Sequence, residues 1–151
     1  MTALSPADEI TRYIFDDKHY SQPEPKARPG YYRIKKNAIA PMRNAQGEYE
    51  TSVMKTAGCS DEAVASLGTG YVAEGRGEDV VAHARFVSEI AFEKKLSVIH
   101  DKNGHELHCA IKGWPADKSD MMERAGDLAE AISNHVSKIF LIYPPKGPLE
   151  K

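Results

Sequence analysis

The sequence predicts an α+β domain: an antiparallel sheet of about four to six strands, covered mainly on one face by helices near residues 61–74 and 118–136. Three observations carry this expectation. Asn103-Gly104 lies between two apolar-rich runs, and that dipeptide suits a type I′ hairpin turn, whose two central residues both need positive φ. From Asp117 onward Met121, Ala125, Leu128, Ile132 and Val136 recur at helical spacing, which marks one face of an amphipathic helix. Segments 49–56 and 79–86 alternate with the two-residue period of a strand, and a sheet with one apolar face needs a covering layer.

The elements follow in order. Ser5-Pro6-Ala7-Asp8 reads as a helix start, with a capping hydroxyl, proline in the first turn and acids at the positive dipole end. Ile10, Tyr13 and Ile14 would be its apolar stripe, fading near Asp17. Pro23, Pro25 and Pro29 make residues 19–30 an extended connector. Gln46-Gly47 marks a turn before the strand 49–56, in which Tyr49, Thr51, Val53 and Lys55 share one face. Ser60 caps a helix through Asp61 and Glu62, with Val64, Leu67, Tyr71 and Val72 as its buried stripe, and Gly75-Arg76-Gly77 reads as its stop. In 79–86, Val81, His83 and Arg85 lie opposite Val80, Ala82, Ala84 and Phe86. Ser88 would cap a short helix carrying Ile90, Ala91 and Phe92. Gly113-Trp114-Pro115 ends the hairpin, and Ile139 to Tyr143 would add a last strand before Pro144 and Pro145. Residues 1–5 and 144–151 are expected to be loose.

Composition bounds the class. A chain of 151 residues with 41% hydrophobic content is long enough to bury one core, so a single domain over 1–151 is expected. A formal net charge of −2 gives no strong field of either sign. Cys59 and Cys109 make no disulfide framework, no signal-like segment opens the chain, and no apolar run approaches the ~20 residues of a membrane span. A cytoplasmic protein without membrane contact is the expectation, with oligomerisation open.

The hairpin concentrates the chemistry, with His100, His105 and His108, Cys109 and the single tryptophan inside residues 96–115. A two-residue loop pairs Ile99 with His108, Val98 with Cys109 and Leu96 with Ile111. It then puts Leu96, Val98, His100, His105, Leu107, Cys109 and Ile111 on a buried face, with Asp101, Glu106 and His108 outside. In that arrangement His108→Ala is nearly neutral for stability, whereas His100→Ala loses packing. His105-x-x-His108-Cys109 suits zinc by residue type, but ligands three apart point to opposite sides of a strand. A metal site holding zinc or another divalent ion would therefore use His100, His105 and Cys109, or need His105 swung out in the turn. The alternative is a buried apolar cysteine beside histidines at a wet hairpin end. The three histidines are also the candidate catalytic residues, as general base or metal ligand with Asp101 or Glu106 orienting.

A second hint lies between Lys26 and Arg43, where six basic residues and no acid accompany Tyr31 and Tyr32. If 31–36 is a strand, Tyr31, Arg33 and Lys35 share a face that can stack a base and hold phosphate, making them the candidate nucleic-acid-binding residues. A solvated edge strand, where lysine discourages unwanted pairing, accounts for the same pattern.

The run His105-x-x-His108-x-Ala110-Ile111-x-Gly113-Trp114-Pro115, with Gly47-Glu48-x-x-x-Ser52-Val53 and Leu67-Gly68, resembles a widespread group of small uncharacterised bacterial proteins. Prolines flank the first histidine in that group, where this chain has Gly104 and Glu106. The resemblance covers about residues 45–130 and implies no activity, only an origin among proteins encoded in mobile or accessory regions. Two function classes stand: a binding or regulatory module for an unknown protein partner or a nucleic acid, and a small hydrolase or phosphotransfer enzyme using the hairpin histidines.

Overall fold

The computed structural model describes residues 2–21, 33–135 and 138–141, and it has the α+β architecture expected. Strands β1 (Thr2–Ala3), β2 (Glu9–Ile14), β5 (Met42–Arg43), β6 (Tyr49–Lys55), β7 (Ala82–Val87), β8 (Ser97–His100), β9 (His108–Lys112) and β10 (Lys138–Leu141) form one antiparallel sheet. Its order is β1-β8-β9-β6-β2-β7-β10, with β5 paired to the start of β6. A separate ribbon joins β3 (Tyr20–Ser21) to β4 (Arg33–Ile34). The helices are α1 (Lys36–Ile39), α2 (Asp61–Leu67), α3 (Ala73–Arg76), α4 (Ser88–Phe92) and α5 (Lys118–Asn134).

The sheet has more strands than expected, and one of the additions overturns the first expected helix. Residues 9–14 form β2, which runs beside all of β7 from Glu9–Val87 to Ile14–Ala82. Ser5 and Asp8 make only a turn, in which Ser5 N donates to Asp8 Oδ2 at 2.9 Å. Ile10, Thr11, Tyr13 and Ile14 are β-branched or aromatic, and a central position buried on both faces outweighs the capping signal. Residues 2–4, expected to be loose, are likewise held: β1 pairs with β8 and Leu4 is buried.

Side-chain alternation divides the sheet into two covered faces. Ile10 and Ile14 of β2, Val53 of β6, Ala82, Ala84 and Phe86 of β7, Val98 of β8, and Cys109 and Ile111 of β9 belong to the main core, together with residues of α1, α4 and α5. In α5, Asp117 accepts from Asp120 N at 3.0 Å, and Met121, Ala125, Leu128 and Ile132 are buried as the spacing predicts. Val136 lies outside the described residues. The opposite face holds a smaller core of Tyr13, Met54, Val64 and Val80. Most helices lie on the main-core face, but α2 covers the other one. Ser60 Oγ caps α2 by accepting from Ala63 N, and Tyr13 Oη donates to Val64 O at 2.6 Å. Ser88 does not cap α4. Its hydroxyl donates to Asp8 O instead, tying α4 to the turn before β2.

The hairpin β8–β9 is also built differently. Val98 pairs with Ile111 and Ile99 with Ala110, so the register is displaced by two residues and the loop is wider than Asn103-Gly104. Positive φ falls on Lys102 (54°) and Gly104 (83°) rather than on both central residues of a type I′ turn. Side chains hold this alternative: Asp101 Oδ1 accepts from Asn103 N, and His105 Nδ1 accepts from Leu107 N. A displacement of two preserves the faces, which is why Val98, Cys109 and Ile111 are buried as expected.

Candidate functional site

Between α2–α3 and the sheet runs a groove that the hairpin closes at one end. Helices α2 and α3 are joined by a π-helical turn (Gly68–Val72), and such turns interrupt regular helix pairing, often at functional sites. Here the turn carries Tyr71 and Val72 to the groove wall. Tyr71 is exposed rather than part of a buried stripe. Its hydroxyl donates to Gly104 O at 2.7 Å and its ring lies 4.5 Å from that of His105. A Cβ on Gly104 would stand 3.2 Å from that hydroxyl, at a φ of +83° that strains any other residue. Tyr71→Phe is therefore expected to cost about 1 kcal/mol at most. It should speed amide exchange at residues 102–107 without changing that of α5, and unchanged exchange in the loop would show that the hydroxyl does not hold it.

The floor of the groove comes from a gap in the sheet. β2 pairs with β6 only through Ile10–Lys55 and Thr11–Met54, while β5 pairs with Glu50 and Tyr49 at the other end of β6. Arg12 bridges the interval, donating from Nε to Ala38 O and from Nη1 to Ser52 O, each at 2.9 Å. Arg76, from the end of α3, lies over the Phe15 ring with its guanidinium carbon 4.4 Å from the centroid. The two arginines line a cavity of about 310 Å³ under Tyr71 and Val72, with no acid in its lining, and, together with Asp16 and Glu78, a neighbouring one of about 430 Å³ toward α1. Among the described residues no carboxylate lies within 4.0 Å of either guanidinium. Burial, reinforced by the charge of Arg76, lowers the Arg12 pKa to about 10, which leaves it charged at neutral pH.

His108 stands at the hairpin end of the same cavity. Its Nδ1 donates to Asp101 Oδ1 at 2.6 Å, and side-chain exposures of 13% and 11% put the pair inside the fold rather than on an outer surface. The expectation that His108 faces outward is thus corrected: β9 does turn it to the Asp101 side, but α2 and the π turn roof that side. His100 Nε2 instead bonds Glu106 O at 2.6 Å, and His105 is engaged by Leu107 N and Tyr71. His100, His105 and Cys109 are not brought together as a metal site, and no group of three potential ligands occurs among the described residues. The Cys109 thiol points into the main core, and burial pushes its pKa up to about 11, with the charge of Asp101 adding to the shift.

The basic segment divides. Tyr31 lies outside the described residues, Arg33 is in the ribbon opposite Ser21, and Lys35 is the residue preceding α1, so Arg33 and Lys35 do not continue one strand. Sequence reasoning missed Arg12 and Arg76. Arg12 was hidden by reading 9–14 as helical, and Arg76 by reading Gly75-Arg76-Gly77 only as a stop, which Gly77 at φ 74° does provide. No described helix is long and apolar enough to cross a membrane. Comparison with known proteins finds no matching family model, no matching curated protein and no matching solved structure.

Proposed function

We propose that the chain is a binding module for a small anionic ligand, held in the groove by Arg12 and Arg76. The observation that carries this reading is the pair of guanidiniums lining the cavity under Tyr71 and Val72, whose lining holds no carboxylate and where neither arginine has an ion-pair partner among the described residues. The buried Arg12 charge lies near the exposed Arg76 charge and the two repel, and an anion between them removes that cost while accepting charge-assisted hydrogen bonds. Arg12 is fixed in advance by two backbone carbonyls, so little of its side-chain freedom is lost on binding. Phe15, Met54 and Val72 supply apolar wall, which favours a ligand with a phosphate or carboxylate head and a nonpolar body. This gives the module a partner class distinct from the nucleic acid suggested by Arg33 and Lys35.

Calorimetric titration with inorganic phosphate and with phenyl phosphate tests the reading. Both should bind, phenyl phosphate more tightly, and Arg76→Ala should weaken each about tenfold with little loss of stability, since Arg76 is exposed. Failure of the wild type to bind either anion, or equal binding by Arg76→Ala, would remove the proposal.

A further inference from the structure

Resting on that anion-binding reading, we infer that the groove also hydrolyses a small phosphodiester, with His108 as the general base. The hydrogen bond from Nδ1 to Asp101 Oδ1 fixes the imidazole ring and its tautomer, leaving Nε2 as the proton-accepting nitrogen of a residue that lines the cavity. Asp101 is itself steadied by Asn103 N, which donates to the same oxygen at 3.2 Å. Asp101 is thus a positioning residue, and His108 is the group that would meet the reacting water.

The charge pattern selects the diester. A phosphodiester carries one negative charge, and two guanidiniums facing it exceed what the ground state needs. As water adds to phosphorus, the non-bridging oxygens gain a second negative charge, and the pair Arg12–Arg76 in the acid-free cavity beside His108 then matches it; interactions that strengthen in this way lower the barrier. The step balances with water as the only co-reactant. The water oxygen forms a bond to phosphorus as His108 Nε2 takes one of its protons. The bond from phosphorus to the leaving oxygen breaks, and that oxygen departs with the electron pair as an anion. The products are a phosphomonoester and the leaving alcohol or phenol in anionic form, and the imidazolium returns its proton to solvent. An aromatic substituent on the diester fits the apolar wall of Phe15, Met54 and Val72.

The full chain is assayed with bis(p-nitrophenyl) phosphate, following phenolate release, while calorimetry with inorganic phosphate reports anion binding separately. Wild type should release phenolate, and His108→Gln should lower kcat roughly 10²- to 10⁴-fold with KM and phosphate affinity changed only a few-fold. Asp101→Asn should lower kcat less and displace the pH–rate profile, a readout that a purely structural role would leave in place. Circular dichroism checks that each variant is folded, and if His108→Gln is not, Asp101→Asn and the wild-type profile carry the test. Phosphate binding without phenolate release, or release by folded His108→Gln at the wild-type rate, overturns the hydrolysis and leaves the binding module standing. Absence of both binding and release removes both proposals.

Discussion

Unfolding free energy is expected to drop by about 2–3 kcal/mol between about pH 7 and about pH 4.5 because of one residue, His83. It is 2% exposed on β7, edge-on to Tyr13 with ring centroids 5.6 Å apart. Burial lowers its pKa to about 4; the neighbouring Arg85 charge adds to the shift and Asp61 opposes it. An unfolded histidine titrates near ~6.5. Below that pH the unfolded chain takes up a proton that the folded protein refuses until about pH 4, so acid favours unfolding across this window, and the stability is fully present above it. The local geometry reinforces the refusal, because Glu9, Asp61 and Cys59 O hold the Arg85 guanidinium close to the ring. Urea melts at the two pH values check this, with His83→Leu as control. The variant can differ from wild type at every pH, but its slope across the window should be flatter by the His83 contribution. Parallel slopes would mean that His83 is protonated in the folded protein.

His83 also shows what was legible in the sequence. Its face on the strand, opposite Ala82, Ala84 and Phe86, follows from alternation alone, as does the buried stripe of α5. That the His83 face is buried as well does not follow, because burial there depends on α2 crossing to that side of the sheet, a long-range packing event with no local signature. The same omission governed the hairpin. Asn103-Gly104 announced a turn, but the turn geometry was decided by Asp101, His105 and Tyr71, the last of which is 33 residues distant from Gly104 in the chain. Arg12 is the most instructive miss. Among Ile10, Thr11, Tyr13 and Ile14 it could be read as the solvated side of a helix, and only the limited pairing of β2 with β6 gives its guanidinium a site within the sheet. Of His100, His105 and His108, only His108 lines the groove: it lies on the roofed side of β9, while His100 and His105 are engaged by the loop itself.

The roof that α2 and the π turn place over His108 reverses the expected ranking of the hairpin histidines. His108→Ala is now expected to cost roughly 1–3 kcal/mol, because it leaves the Asp101 carboxylate, 11% exposed, without the imidazole that meets it at 2.6 Å. Asn103 N remains as a donor to the carboxylate, which holds the loss below that of a fully orphaned buried charge. His100→Ala should cost less, about 1 kcal/mol, because its bond to Glu106 O lies in an exposed part of the loop where water can replace it. The sharper measurement is a double-mutant cycle. If the main cost of His108→Ala is the abandoned carboxylate, then Asp101→Ala in the same background should restore part of the loss, giving a coupling of about 1–2 kcal/mol between the two sites. Additive losses would mean that Asp101 and His108 do not meet in solution, and the groove would then lack the oriented imidazole on which its proton chemistry depends.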